Sequence, residues 1–172
     1  MITIIAGTNR PGSKTLKIAK YVSALLSDWG VPNRVFSLEE LPDDFTHTYF
    51  QESQTPHFKA LLDTYIKTSN KIIAVVPEYN GSFAGIFKLL IDAIHPNDLK
   101  NKKIALIGVG AGRAGNLRGI DQLTNAFHYL KMIVYPYHLP ISMVDQHLDE
   151  NGQPDEVTIN ALKNQLKGFT EF

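Results

Sequence analysis

The chain has 172 residues, 44% hydrophobic and 10% aromatic, which is enough apolar material for one domain built on one sizeable core. Seventeen basic and seventeen acidic residues cancel, so no global field favours nucleic acid or an anionic membrane surface as a partner. With no cysteine, no stretch of about 18 apolar residues, and a Met1 to Ala6 segment too short for an export signal, disulfides, thiolate chemistry and membrane spans are excluded and the chain reads as cytoplasmic.

Ile2 to Ile5 is a β-branched run that predicts a buried strand, and TNRPGSKT follows it as a polar loop. Leu16, Ile18, Ala19, Val22, Leu25 and Leu26 then recur at helical spacing up to Gly30. The loop offers hydroxyl, amide and cationic groups (Thr8, Asn9, Arg10, Ser13, Lys14, Thr15) at a helix amino terminus, where donors suit a phosphate. A plainer reading stands beside it, in which Ser13 caps the helix and the rest is a solvated turn. The loop is no Walker A motif, because Ser13 stands where that motif needs lysine.

Arg34 to Leu38 predicts a second strand and completes a β-α-β unit. Residues 39 to 57 lack a clear period and predict an irregular connection with one helical turn; His47, Tyr49 and Phe50 within it either cover the sheet edge or border a pocket. Phe58 to Ile66 predicts a helix. Lys71 to Val76 is apolar on both faces, as a central parallel strand is, and Pro77 ends it. Tyr79, Asn80, Gly81 and Ser82 lie just past its carboxyl end, where open α/β sheets bind ligands. Phe83, Phe87, Leu90, Ile91 and Ile94 predict the next helix, whose apolar face suits either the core or a subunit contact.

HPNDLKNKK predicts a polar connection, and Ile104 to Val109 a fourth strand. Gly110, Gly112 and Gly115 then satisfy G-x-G-x-x-G, the literal dinucleotide fingerprint. The motif follows the fourth strand and no carboxylate ends the next one, so a flexible loop bordering a flat ring is the preferred reading. Leu117 to Leu130 predicts a helix, Met132 to Tyr135 a fifth strand, residues 136 to 153 an irregular excursion, and Pro154 to Phe172 a closing helix. His128, His138, His147 and Asp145 have no metal-ligand spacing, so no metal site is assigned.

Five apolar strands separated by helices predict an α/β/α sandwich with a five-stranded parallel sheet in the order 2-1-3-4-5, a single domain over 1 to 172. In that order the winding reverses between strands 1 and 3, leaving a crevice that the first and second loops face, with the third loop as the next neighbour along the same edge.

Three of these stretches resemble the NADPH-dependent FMN reductase family of flavodoxin-like proteins: GTNRPGSKTLKIA its phosphate loop, PEYNGSFAGIFKLLID its ring loop, and GVGAGRAGNLR its third glycine loop. The resemblance implies that Thr8, Arg10, Ser13, Thr15 and Leu16 surround the FMN phosphate. It implies likewise that Pro77, Glu78, Tyr79, Asn80 and Gly81 run along the isoalloxazine and that Gly110, Ala111 and Gly112 border its other end. It further implies a homodimer or homotetramer. The expected activity is hydride transfer from NAD(P)H through bound FMN to a small acceptor, such as a quinone, azo compound, metal oxyanion or free flavin. No catalytic acid or base is required for it. A flavodoxin-type electron carrier that never meets a nicotinamide is the alternative, against which the neutral charge speaks.

Overall fold

The computed structural model describes residues 1–46 and 53–172. His47, Tyr49 and Phe50 therefore lie outside the described residues.

The sheet contains β1 (Ile2–Ala6), β2 (Asn33–Ser37), β3 (Lys71–Pro77), β4 (Lys103–Val109), β5 (Ile133–Val134) and β6 (Leu139–Ile141). All pairings are parallel and the order is β2-β1-β3-β4-β5, with β6 also on β4. The helices are α1 (Lys14–Asp28), α2 (Pro56–Leu61), α3 (Gly85–Ala93), α4 (Leu117–Tyr129) and α5 (Glu156–Glu171). Period-two alternation along β3 separates two cores. Ile72, Ala74 and Val76 face Phe58, Phe87, Leu90, Leu123 and Phe127, whereas Ile73 and Val75 face Ile18, Val22, Leu26, Leu162 and Phe169. Thus α1 and α5 cover one face and α2, α3 and α4 the other, which is the three-layer sandwich the strand pattern predicts.

Local departures have physical reasons. The fifth position of the sheet is two short segments: β5 pairs with Lys103 and Ile104, and β6, in the excursion read as irregular, pairs with Ile107 to Val109. Between them strand pairing lapses, and the fully buried Gln165 of α5 fills the break. Its Nε2 donates to the Leu106 carbonyl at 2.9 Å and to the Tyr137 carbonyl at 3.0 Å. Gln165→Leu leaves both acceptors unpaired and is expected to lower stability by roughly 1–3 kcal/mol in urea unfolding. A loss under about 0.5 kcal/mol would show that the break is satisfied without it.

HPNDLKNKK contains a helical turn, Pro96–Leu99, because His95 accepts the Asn97 N–H at its amino end and Pro96 is preset for a first helical position. Beyond α2, the helix widens to a π-helix over Leu62–Lys67. There the buried Thr3 hydroxyl donates to the Tyr65 carbonyl at 2.6 Å. Phe87, Leu90, Ile91 and Ile94 are buried in the core, and Ile86, Leu89 and Ala93 pack half-buried against it. Among the described residues no helix is long and apolar enough to cross a membrane.

Candidate functional site

Because β1 and β3 are neighbours whose chains leave in opposite directions, the loops after Ala6 and Pro77 open a crevice at the carboxyl edge of the sheet, and the loop after Val109 adjoins them.

The first loop runs into α1. Ser13 Oγ accepts the Leu16 N–H at 3.2 Å, so Ser13 is a helix cap. Among the described residues the N–H groups of Ser13, Lys14 and Thr15 meet no protein acceptor. The cap and the open donors coexist, since a helix has more orphan N–H groups at its start than one cap can satisfy. Leu16 donates its N–H to Ser13, and its side chain packs against the core between α1 and α5. Thr8 is 1% exposed and Thr15 2%, while Arg10 is solvent-facing.

The second loop opens with Pro77, the last strand residue, paired with Val109, and Glu78 N–H extends the ladder to the Val109 carbonyl at 2.8 Å. Tyr79 and Ser82 exchange backbone hydrogen bonds of 2.8 and 3.0 Å around Asn80 and Gly81, whose φ values are +52° and +76°. Two successive positive φ angles make this a type I′ turn, for which Asn-Gly is the favoured pair. Among the described residues neither Asn80 nor Gly81 donates its N–H to another protein group. Tyr79 turns back to the first loop: its hydroxyl lies 2.9 Å from Thr8 Oγ1, and the Arg10 guanidinium stands 4.8 Å from its ring centroid. The resemblance implies Tyr79 along a ring; its hydroxyl reaches the first loop, beside Thr8.

The third loop is held from below and beside. Gly110 N–H donates to the Ile141 carbonyl at 3.0 Å, and the N–H groups of Met143 and Val144 donate to the carbonyls of Gly112 and Gly110, each at 3.0 Å. Glu78, Asn80, Gly81, Ala111, Gly112, Arg113, Ala114 and Arg118 line a cavity of about 390 Å³ between the second and third loops. The glycine fingerprint divides on inspection: a methyl at Gly115 would press on Pro140 and Ile141 at 2.9 and 3.0 Å, but one at Gly112 meets nothing within 4 Å. Gly112 serves openness rather than packing.

Sequence reasoning missed two residues. Asn116 is completely buried, has φ +67°, and donates from Nδ2 to the carbonyls of Val76 and Pro77 at 3.1 and 3.0 Å. Arg118, on the first turn of α4, lines the cavity. An asparagine between a glycine loop and a helix suggests an N-cap, yet this side chain turns inward to partners forty residues away, which no local pattern reveals.

Asp145, His147 and Asp155, after β5, have partners within the protein. Among the described residues no three such groups gather around a metal-sized site. Asp145 pairs with Lys14, tying the segment after β6 to the first loop. His147 Nδ1 lies 2.7 Å from Asp155 Oδ2, and Asp155 Oδ1 accepts the Thr158 N–H at 2.9 Å as the cap of α5. The His147 contact first, and the Thr158 bonds second, pull the Asp155 carboxyl down from 3.8 to about 2. A carboxyl depressed on folding contributes stability above its unfolded value and loses it as pH falls through the folded one. Asp155→Asn is therefore expected to melt lower than the parent at pH 6, with the difference closing by about pH 2 in a pH series of melts. A difference independent of pH would show that the charge is not involved.

Comparison with known proteins bears on the family and the fold. A NADPH azoreductase of Bacillus sp. strain OY1-2 is 26% identical over 98% of this chain and 91% of its own length. An FMN reductase (NADPH) of Pseudomonas aeruginosa is 26% identical over 84% of this chain and 77% of its own. Among solved structures, the flavoenzyme NAD(P)H:(acceptor) oxidoreductase FerB of Paracoccus denitrificans superposes with a TM-score of 0.77 at 22% identity, covering 99% of this chain and 94% of that one. A Fusobacterium nucleatum flavodoxin variant bound to flavin mononucleotide gives 0.61 at 15% identity, over 99% and 95%, and at these identities both show the shared flavodoxin-like fold. Residues 1–146 match the family described as NADPH-dependent FMN reductase, and the chain belongs to that family.

Proposed function

We propose that this enzyme is an FMN-dependent NAD(P)H oxidoreductase whose acceptor is a small molecule, with azo compounds, quinones, metal oxyanions and free flavin as the class. The names of its relatives, azoreductase and FMN reductase, support the first and last of these. One observation carries the assignment of the site. Open donors stand on two adjoining loops, at the start of α1 and on the Asn80–Gly81 turn, and the Tyr79–Thr8 hydrogen bond joins the two loops.

The residues present fit FMN. At the phosphate end, the N–H groups of Ser13, Lys14 and Thr15, the Thr8 and Tyr79 hydroxyls and the Arg10 guanidinium form a donor set for a dianion. Across the crevice, the Asn80 and Gly81 N–H groups present donors to a polar ring edge, and Ala111 and Gly112 leave the opposite wall without bulk. Bound FMN supplies the redox chemistry, taking a hydride from NAD(P)H and passing two electrons to the acceptor. The chain binds, orients and leaves one side open. Arg113 and Arg118 on the cavity wall are placed for the anionic groups of NAD(P)H. The whole chain acts as one flavodoxin-like domain, working in the cytoplasm as a dimer or tetramer.

The absorption spectrum of the purified, FMN-supplemented protein before and after anaerobic NADPH tests the reading. Flavin bands that bleach, with steady NADPH oxidation when a quinone or azo dye is added, are expected. A sample that stays yellow with NADPH would leave an electron carrier in place of a reductase.

A further inference from the structure

Glu78 is the residue whose chemistry the flavin reading leaves unused. Its side chain is 20% exposed, and Oε2 accepts the Asn116 N–H at 3.1 Å, at the amino end of α4. Arg118 Nη1 lies 3.9 Å from Oε1. Asn116 answers in the other direction, its amide donating to the carbonyls of Val76 and Pro77. Three hydrogen bonds thus join the third loop to the end of β3 and the start of the second loop. A methyl at Gly110 would lie 3.2 Å from Glu78 Oε2, so the clasp is packed as well as bonded.

The amino end of a helix is where an anion is most favoured, and G-x-G-x-x-G loops place a pyrophosphate there. Here an internal carboxylate holds that seat. We infer that Glu78 is a positioning residue: it fills the anion seat of α4 itself, and with Asn116 it fixes the gap between the two loops that flank the flavin ring. This accounts for a literal dinucleotide fingerprint in a chain whose open phosphate donors lie on α1. It rests on the FMN reading above and extends it, because Glu78 acts through the third loop and not on the reacting atoms.

The test is FMN affinity, by quenching of flavin fluorescence, for the parent, Glu78→Gln and Glu78→Ala, with a melting curve for each. Gln keeps an oxygen for the Asn116 N–H and is expected to bind FMN within about threefold of the parent; Ala leaves that group and the loop unheld and is expected to bind at least about tenfold more weakly. With FMN saturating, inorganic pyrophosphate is expected to raise the melting temperature of Glu78→Ala by clearly more than it raises that of the parent, in which Arg113 and Arg118 are left to meet it without the α4 seat, an excess that a purely structural role would not create. Equal FMN affinity in parent and Ala variant overturns the clasp, as does a Gln variant as weak as Ala. A pyrophosphate response in the Ala variant no larger than the parent's overturns the anion seat. If Glu78→Ala does not fold, Asn116→Gly keeps the positive φ, removes the two amide bonds, and is expected to show the same tenfold loss, with undiminished affinity again overturning the clasp. A parent that takes up no FMN would refute the flavin reading instead, and the clasp would then be judged on the melting temperatures of Glu78→Ala and Glu78→Gln.

Discussion

Alanine at Gly108 is expected to lower stability by roughly 3 kcal/mol, the upper end for overpacking, and to weaken FMN binding with it. Gly108 lies in β4 between Val76 and Pro140. A Cβ there collides with the Gly115 carbonyl oxygen and approaches Ile120 Cδ1 at 2.8 Å and Asn116 Cβ at 3.1 Å. The obstacle is backbone, so no rotamer change relieves it. The loop has little room to give at Gly115, where even a Cβ would lie 2.9 Å from Pro140 and 3.0 Å from Ile141. The methyl must therefore displace the strand or lift Gly115 and Asn116 away from Glu78. Gly112→Ala is the control: its added methyl meets nothing within 4 Å, and a stability change within about 0.5 kcal/mol is expected. Thermal or urea unfolding of both, with FMN titration, checks the contrast. Equal behaviour of the two variants would show that the third loop is not wedged as described.

Arg10→Ala is expected to cost about tenfold to a hundredfold in FMN affinity while leaving the melting temperature of the apoprotein unchanged. Arg10 is exposed and its contact within the protein is the Tyr79 ring, so its removal disturbs little packing. A charge-assisted hydrogen bond to a phosphate contributes about 1.5–3 kcal/mol, and 1.4 kcal/mol is tenfold in affinity. Riboflavin, which lacks the phosphate, should bind the parent and the variant alike. Arg10→Lys should fall between them, since lysine keeps the charge but loses the planar fork and the stacking on Tyr79. Undiminished FMN affinity in Arg10→Ala would place the phosphate away from the first loop.

The amino-acid sequence by itself determined the layers and the order of this fold. Ile72, Ile73, Ala74, Val75 and Val76 are apolar on both faces, a run that suits a parallel strand covered by helices on both sides. Strands alternating with helical patterns then leave parallel pairing and right-handed crossovers as the simplest topology. The crevice follows from the order, and the polar first loop and the Asn80–Gly81 turn were marked by residue types whose conformational preferences are local.

What only the tertiary structure decided lies in contacts between residues far apart in the chain. That Tyr79 belongs with Thr8 and Arg10 depends on β1 and β3 being neighbours. That Glu78 and Asn116 clasp each other, that Gly108 carries the third loop, and that Gln165 completes the broken fifth strand depend on where separate segments come to rest. Periodicity reports which face of an element is buried, because burial repeats with the element's own geometry. It carries no record of which buried polar group will meet which carbonyl, because those partners are set by the packing of the finished sheet.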